Sequence, residues 1–436
     1  MSPVASLALG ILLVLLQTEY AGSTSCSFYC FVTPSRKETF DVASYNNLSC
    51  THFVYGFTRT RSDLSLRSVT SRDNLEVMNP GNLRKFLGLR NSHPEATLLL
   101  GVELTPKNVF HDVRHARRVA ERIGLSARKR HFDGVFIRMH GPALESSITQ
   151  HFLSALSLTY SSTSSETTLS VTPRWLWTSG SRLHEFVDHV EHVYLDMEEL
   201  PSAEDEFSVS HLDPLMPSDS IPFEDTISGS TEKLLSSGVP SEKIIIGLSS
   251  GGKTYRVRRP KSTVHGDMAM QPAIRRPLQD LCHSTRTFVD EKSGNTVIEG
   301  RFNWTSANFP KLSSLGKKIE WIMQEGLGGI GISSLQFDDP KGKCGAGSYP
   351  SHTMIGQIIL SIGARQTSDI WRMELGSIIK RKHLINNIKR LAVAKNAVGV
   401  EISWTLGVLD STIDPSLLTR FLTELRLVLP KVHLHL

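Results

Sequence analysis

Ten residues, His131-Phe132-Asp133-Gly134-Val135-Phe136-Ile137-Arg138-Met139-His140, constrain the fold of this chain more than any others. Successive side chains of a strand face opposite ways. Val135, Ile137 and Met139 therefore share one uniformly apolar face. Phe136, Arg138 and His140 share the other, which carries a cation and an imidazole. One uniformly apolar face and one mixed face make the pattern of a strand that buries its apolar side against a core.

Length and composition allow such a fold. The chain has 436 residues, 39% of them hydrophobic, enough for one large domain and an extension. A formal charge of +5 is mild for this length and predicts no nucleic-acid partner. The basic run between Lys107 and Arg138 is expected to be the solvated face of a helix. Residues 1–25 are expected to be a secretory signal: an apolar run from Val4 to Leu16, then Ala21, Gly22, Ser23 and Ser25, although no Lys or Arg precedes the run. That run is too short to span a bilayer and no later one is longer, so export without a membrane anchor is expected. Five cysteines suit an oxidising compartment. Asn47-Leu48-Ser49 and Asn303-Trp304-Thr305 are sequons for N-glycans.

Three further stretches complete the pattern. Cys50 is followed by Thr51-His52-Phe53-Val54-Tyr55-Gly56-Phe57. A late run reads Glu325-Gly326-Leu327-Gly328-Gly329-Ile330-Gly331-Ile332-Ser333. After it come Asp338-Asp339, Cys344-Gly345, Gly347 and Tyr349-Pro350. With Phe132-Asp133-Gly134, and over roughly residues 26–365, the chain resembles glycoside hydrolase family 18, the chitinase family. The resemblance implies an α/β fold, a (β/α)8 TIM barrel with strands near Thr51–Phe57, Ala96–Glu103, Gly134–His140, Thr168–Val171, Val187–Glu199 and Lys243–Gly247. It also implies a small α+β insertion between strands 7 and 8, at about 254–308. For the cysteines it implies one early bridge to Cys50 and one late bridge, Cys282–Cys344. Cys26–Cys50 is the preferred early pair, with Cys30–Cys50 as the alternative.

The same resemblance shows what has changed. Family 18 enzymes protonate the glycosidic oxygen with a Glu, and the substrate's own N-acetyl oxygen attacks the anomeric carbon. An Asp two residues earlier and a Tyr from the sixth strand hold the acetamido group. The three carboxylate positions of the fourth strand are here Phe136, Arg138 and His140, and the Tyr position is Glu198, beside Glu199. Ser333 replaces a Trp on the barrel floor that stacks under the sugar. A missing general acid costs roughly 10²–10⁴ in rate. A cation at Arg138 repels the positive ring that must form. No catalytic residue is therefore assigned, and no cofactor. Arg138 is expected to be neutralised by Glu198 or Glu103 in a former active site. A metal site from His140, His184, His189 and His192 is weighed and set aside, because these histidines are expected to be scattered.

Trp304, Trp175, Trp177 and Glu103 are the candidates for glycan contact. Trp175 and Trp177 would share a face if they sat on a strand end, with core packing as the alternative. Residues 366–436 are expected to be a partial repeat of the barrel: Gly399 to Thr405 aligns with Gly134 to His140, and Phe421, Leu422, Leu425 and Leu427 parallel Phe152, Leu153, Leu156 and Leu158. The expectation is thus a secreted, extracellular chitinase-like protein that binds chitin or another N-acetylglucosamine-containing glycan without cleaving it. The alternatives are a protein-interaction or signalling role with a secreted or cell-surface partner, and a glycosidase with a rebuilt site.

Overall fold

In a computed structural model, eight parallel strands close into a barrel in the order β1-β13-β7-β6-β5-β4-β3-β2. They are β1 (Ser27–Val32), β2 (His52–Arg59), β3 (Thr97–Leu104), β4 (Gly134–Met139), β5 (Glu166–Val171), β6 (His192–Asp196), β7 (Ile244–Ser249) and β13 (Gly329–Ser333). The structure describes residues 26–34, 41–60, 65–67, 81–104, 112–139, 146–160, 166–178, 183–185, 187–197, 207–359, 377–394, 399–401, 415–428 and 433–435. The expected signal at 1–25 lies outside them.

Alternation along each strand divides two apolar cores. Outward side chains such as Cys30, Phe53, Leu98, Val135, Ile137, Leu169 and Ile246 pack beneath the helices. Inward side chains Tyr29, Phe31, Val54, Leu99, Phe136, Tyr194 and Ile245 fill the barrel, so it is a packed core and not a pore. Tyr194 fits because Gly247 and Gly331 face it; a Cβ at either would lie 2.5 or 2.3 Å from its ring.

The Phe132-Asp133-Gly134 motif serves this architecture. Phe132 packs on Phe86, with ring centroids 5.9 Å apart. Asp133 accepts hydrogen bonds from Leu98 N and from Arg90, each at 2.8 Å, tying β4 to β3 and to α1 (Asn82–Leu87) with its following turn. Gly134 lets β5 approach: a Cβ there would be 2.0 Å from Glu166 O. The basic run before it forms α2 (Val113–Lys129), whose Arg114, Arg117, Arg118 and Arg122 are exposed while Ala116, Val119 and Ile123 are buried.

Between β7 and β13 the chain builds a second sheet, in the order β10-β11-β12-β8-β9. Its strands are β8 (Gly251–Arg256), β9 (Gln271–Arg276), β10 (Thr287–Asp290), β11 (Asn295–Glu299) and β12 (Asn303–Asn308). This insertion was expected to be α+β; from Gly251 to Asn308 its only helical pieces are two 3-10 turns, Pro260–Ser262 and Leu278–Asp280. A buried polar knot locks it to the barrel. Asn308 donates to Asp213 (2.9 Å) and to Ser249 O (2.8 Å). Fully buried Lys318 donates to Leu212 O (3.0 Å) and to Asn308 Oδ1 (2.7 Å).

Beyond the barrel, α8 (Ile378–Ala394), β14 (Gly399–Glu401), α9 (Pro415–Val428) and β15 (His433–His435) follow in sequence, after α3 (Ser146–Tyr160), α4 (Pro173–Thr178), α5 (Ile227–Ser236), α6 (Lys317–Gln324) and α7 (Pro350–Ile359). β14 and β15 pair in parallel with each other and do not join the barrel. Ile385, Ile388, Phe421 and Leu425 are buried, and Arg381 holds Glu424 through two 3.0 Å contacts.

Candidate functional site at the barrel mouth

The C-terminal ends of the barrel strands form the face where sites of this architecture lie. Phe136, where the resemblance to the family leads one to expect the first carboxylate, is fully buried below that face. Its ring meets Phe31 at 5.0 Å and Tyr194 at 5.1 Å, both edge-on. One step up the strand, Arg138 points the same way. It reaches over Ser170 of β5 to Asp196 of β6, with Nη2 2.8 Å from Oδ2. Its guanidinium lies 4.0 Å from the centroid of Phe57, a cation–π contact. Asp196 is almost wholly buried, with side-chain exposure of 3% against 15% for Arg138. A cation, a carboxylate and a ring thus stand together at the mouth.

This differs from the expected pairing of Arg138 with Glu198 or Glu103. Glu103 turns to Arg59 of β2, which binds it closely, so it is held at the rim. Glu198, Glu199 and His140 lie outside the described residues. Ser333, the last residue of β13, is buried, and its carbonyl accepts from Ser250 Oγ at 2.8 Å. It offers no aromatic platform.

The tryptophans are not where a sugar platform needs them. Trp304 is 2% exposed, inside the core of the insertion with Tyr255 and His211. Its neighbour Asn303 is exposed because the two alternate on β12. Trp175 and Trp177 lie on helix α4, not on a strand end, so two residues of separation sets them on opposite sides. Trp175 is buried in the core between the strands and the helices, whereas Trp177 is exposed against Phe223 and Lys233.

The early disulfide is Cys30–Cys50, with Cα atoms 6.0 Å apart, and not Cys26–Cys50. Cys30 points outward from β1 toward the turn that carries Cys50. Cys26 sits about 13 Å further back along the strand; it is a free, half-buried thiol whose pKa burial raises to about 11. The late disulfide is Cys282–Cys344. Both sequon asparagines, Asn47 and Asn303, are exposed.

The opposite end of the barrel carries a polar cluster that sequence motifs did not single out as a unit. Tyr29 Oη donates to Glu166 Oε1 at 2.6 Å and lies 2.9 Å from His192 Nδ1. His52 Nε2 is 3.0 Å from Glu166 Oε2, and its ring stacks on Tyr29 at 4.2 Å. Burial alone would raise the Glu166 pKa. The hydrogen bonds from His192, His52 and Tyr29 outweigh it and hold the carboxyl well below the usual range. His52, Glu166 and His192 place ligand atoms within 4.8 Å of one another, as a metal would require. Each atom is already engaged in the hydrogen-bond network, which ties β1, β2, β5 and β6 together. The N-terminal face of such barrels serves stability. The other grouping of ligand atoms, Cys30, Cys50 and His352, spends both sulfurs in the disulfide.

Comparison with known proteins agrees with this architecture. The family model for glycosyl hydrolases family 18 matches residues 28–338. A Caenorhabditis elegans chitinase-like protein is 29% identical over 504 aligned residues, which cover 96% of this chain and 47% of that relative. The chain thus spans about half the length of that relative. Among solved structures, an Ostrinia furnacalis Group IV chitinase superposes with a TM-score of 0.66 at 18% identity, covering 77% of this chain and 99% of the other. Human YKL-39, described as a pseudo-chitinase with retained chitooligosaccharide binding, superposes with a TM-score of 0.64 at 15% identity, covering 76% and 98%. The barrel, its order of motifs and the match over most of its length establish that this chain belongs to glycosyl hydrolase family 18.

Proposed function

We propose that this chain is a secreted, non-hydrolytic member of its family, in which the barrel is kept as a scaffold for recognition. The observation that carries this is the Arg138–Asp196 pair under Phe57. Retaining hydrolysis with a participating N-acetyl group needs room for that group and negative charge around the cation it becomes. Among the described residues, the Arg138–Asp196 pair stands at the centre of the mouth, and the more exposed charge of the two is the guanidinium. Phe136 adds bulk beneath it and supplies no proton. The two disulfides support an oxidising, extracellular location.

The same geometry weighs against N-acetylglucosamine in the central subsite. Trp304 and Trp175 are spent in cores, and Ser333 gives no stacking face. A protein partner is therefore the first reading of the recognition role. One comparison favours a second reading, that chitooligosaccharides bind outside the central subsite: the YKL-39 structure is described as retaining that binding.

Calorimetric titration with chitohexaose separates the two. We expect no heat from the native chain and measurable binding by Arg138→Ala, which vacates the subsite. Binding by the native chain that Arg138→Ala leaves unchanged would favour the second reading.

A further inference from the structure

The charge of this protein is not spread evenly. Residues 251–308 contain ten Lys or Arg and five Asp or Glu, a net of +5 that equals the formal charge of the whole chain. Part of that excess converges on one concavity of about 950 Å³ in the insertion, lined by no residue of the barrel strands. Arg259, Lys261, His283, Arg286 and Arg301 line it, with Glu299 as its one carboxylate. All five basic side chains are exposed. Among the described residues, no ion pair involves Arg259, Lys261, Arg286 or Arg301.

The groove is built on stiff backbone. Arg259 and Lys261 flank buried Pro260. Arg286 and Glu299 are joined by a backbone hydrogen bond of 3.1 Å, and Gly300 N donates to Asn303 O at 2.8 Å. His283 directly follows Cys282 of the late disulfide. Arg301 lies 5.3 Å from the Phe302 ring. Three separate loops are thus fixed with their cations facing one space. Like charges gathered in a concavity raise its potential and draw in counter-ions.

We propose that this groove is a binding site for a sulfated polysaccharide. Guanidinium forks match the geometry of sulfate oxygens, and the Ser284 and Thr285 hydroxyls in the lining can donate to them. The volume lies at the upper end of the ~300–1,000 Å³ of small-molecule sites, too large for one isolated anion and suited to a short run of sugar units. Cations from three loops ask for several anionic groups at fixed spacing. Apart from His283 the lining has no aromatic side chain on which a nucleobase could stack. The site is independent of whether the barrel hydrolyses anything.

The test is calorimetric titration of the full chain with a heparin-derived hexasaccharide, with its desulfated counterpart, double-stranded DNA and poly-glutamate as competing probes. Two variants of equal charge change are compared: Arg259→Ala/Arg286→Ala/Arg301→Ala in the groove, and Arg117→Ala/Arg118→Ala/Arg122→Ala on the exposed face of α2. All the exchanged side chains are exposed, and circular dichroism verifies that both variants fold. The proposal expects binding that weakens with salt and is lost on desulfation. It expects a fall of at least about ten-fold in the groove variant, and little change in the α2 variant. Absence of binding overturns it. So does an equal loss in both variants, or no loss in the groove variant. DNA or poly-glutamate binding as tightly as the hexasaccharide would show a non-selective cationic surface and equally overturn it.

Discussion

At the scale of single residues, the mouth of the barrel is decided by one exchange of charge. Arg138 stands where the resemblance to active relatives places an orienting carboxylate, and Asp196 answers it from β6 at 2.8 Å. Removing one partner of a mostly buried pair leaves the other charge without compensation, whereas replacing both with apolar groups is tolerated. Arg138→Ala is therefore expected to lower unfolding free energy by about 3 kcal/mol, and Arg138→Met with Asp196→Leu to recover most of that loss, as read by urea denaturation. Glu166 provides a pH signature. Its folded pKa lies below its unfolded value, so the stability it contributes is present above the ordinary carboxylate range, begins to be lost as pH falls into that range, and is gone only below the folded pKa. Denaturation midpoints at pH 7 and pH 4 should differ less in Glu166→Gln than in the native chain; identical pH dependence in the two would rule out this role. Trp304→Ala is expected to cost about 3–5 kcal/mol, because the ring is core.

Whole elements show what could be read from the sequence and what could not. The strand motifs were legible because they answer to packing. Gly134 is required by the approach of Glu166, and Asp133 by two hydrogen bonds that align β3 and β4. Gly134→Ala is accordingly expected to yield little folded protein in expression trials. Trp175 and Trp177 were harder, since a two-residue spacing fits a strand until the helix at Pro173–Thr178 is known. The preferred Cys26–Cys50 pairing fails because spacing gives no direction; the outward face of β1 puts Cys30 on Cys50. Peptide mapping under non-reducing conditions should find Cys26 alkylated, and Cys26 in a disulfide would contradict the assignment. Asp196 stayed hidden as the partner of Arg138, because only the barrel's closure sets their relative height.

On the scale of the whole molecule, residues 366–436 bear on organisation. We propose that they are a partial second copy of the barrel. A 17-residue helix separated by four residues from a strand that starts with glycine occurs twice, at Val113–Lys129 before Gly134 and at Ile378–Ala394 before Gly399. The central claim concerns the first barrel, and the direct measurement is hydrolysis of chitotetraose by the purified chain, followed by product mass over a day. The account predicts no product above a blank for the native chain and for Arg138→Ala alike. Product from the native chain that disappears in His140→Ala would contradict it, and would mean that the mouth has been rebuilt rather than closed.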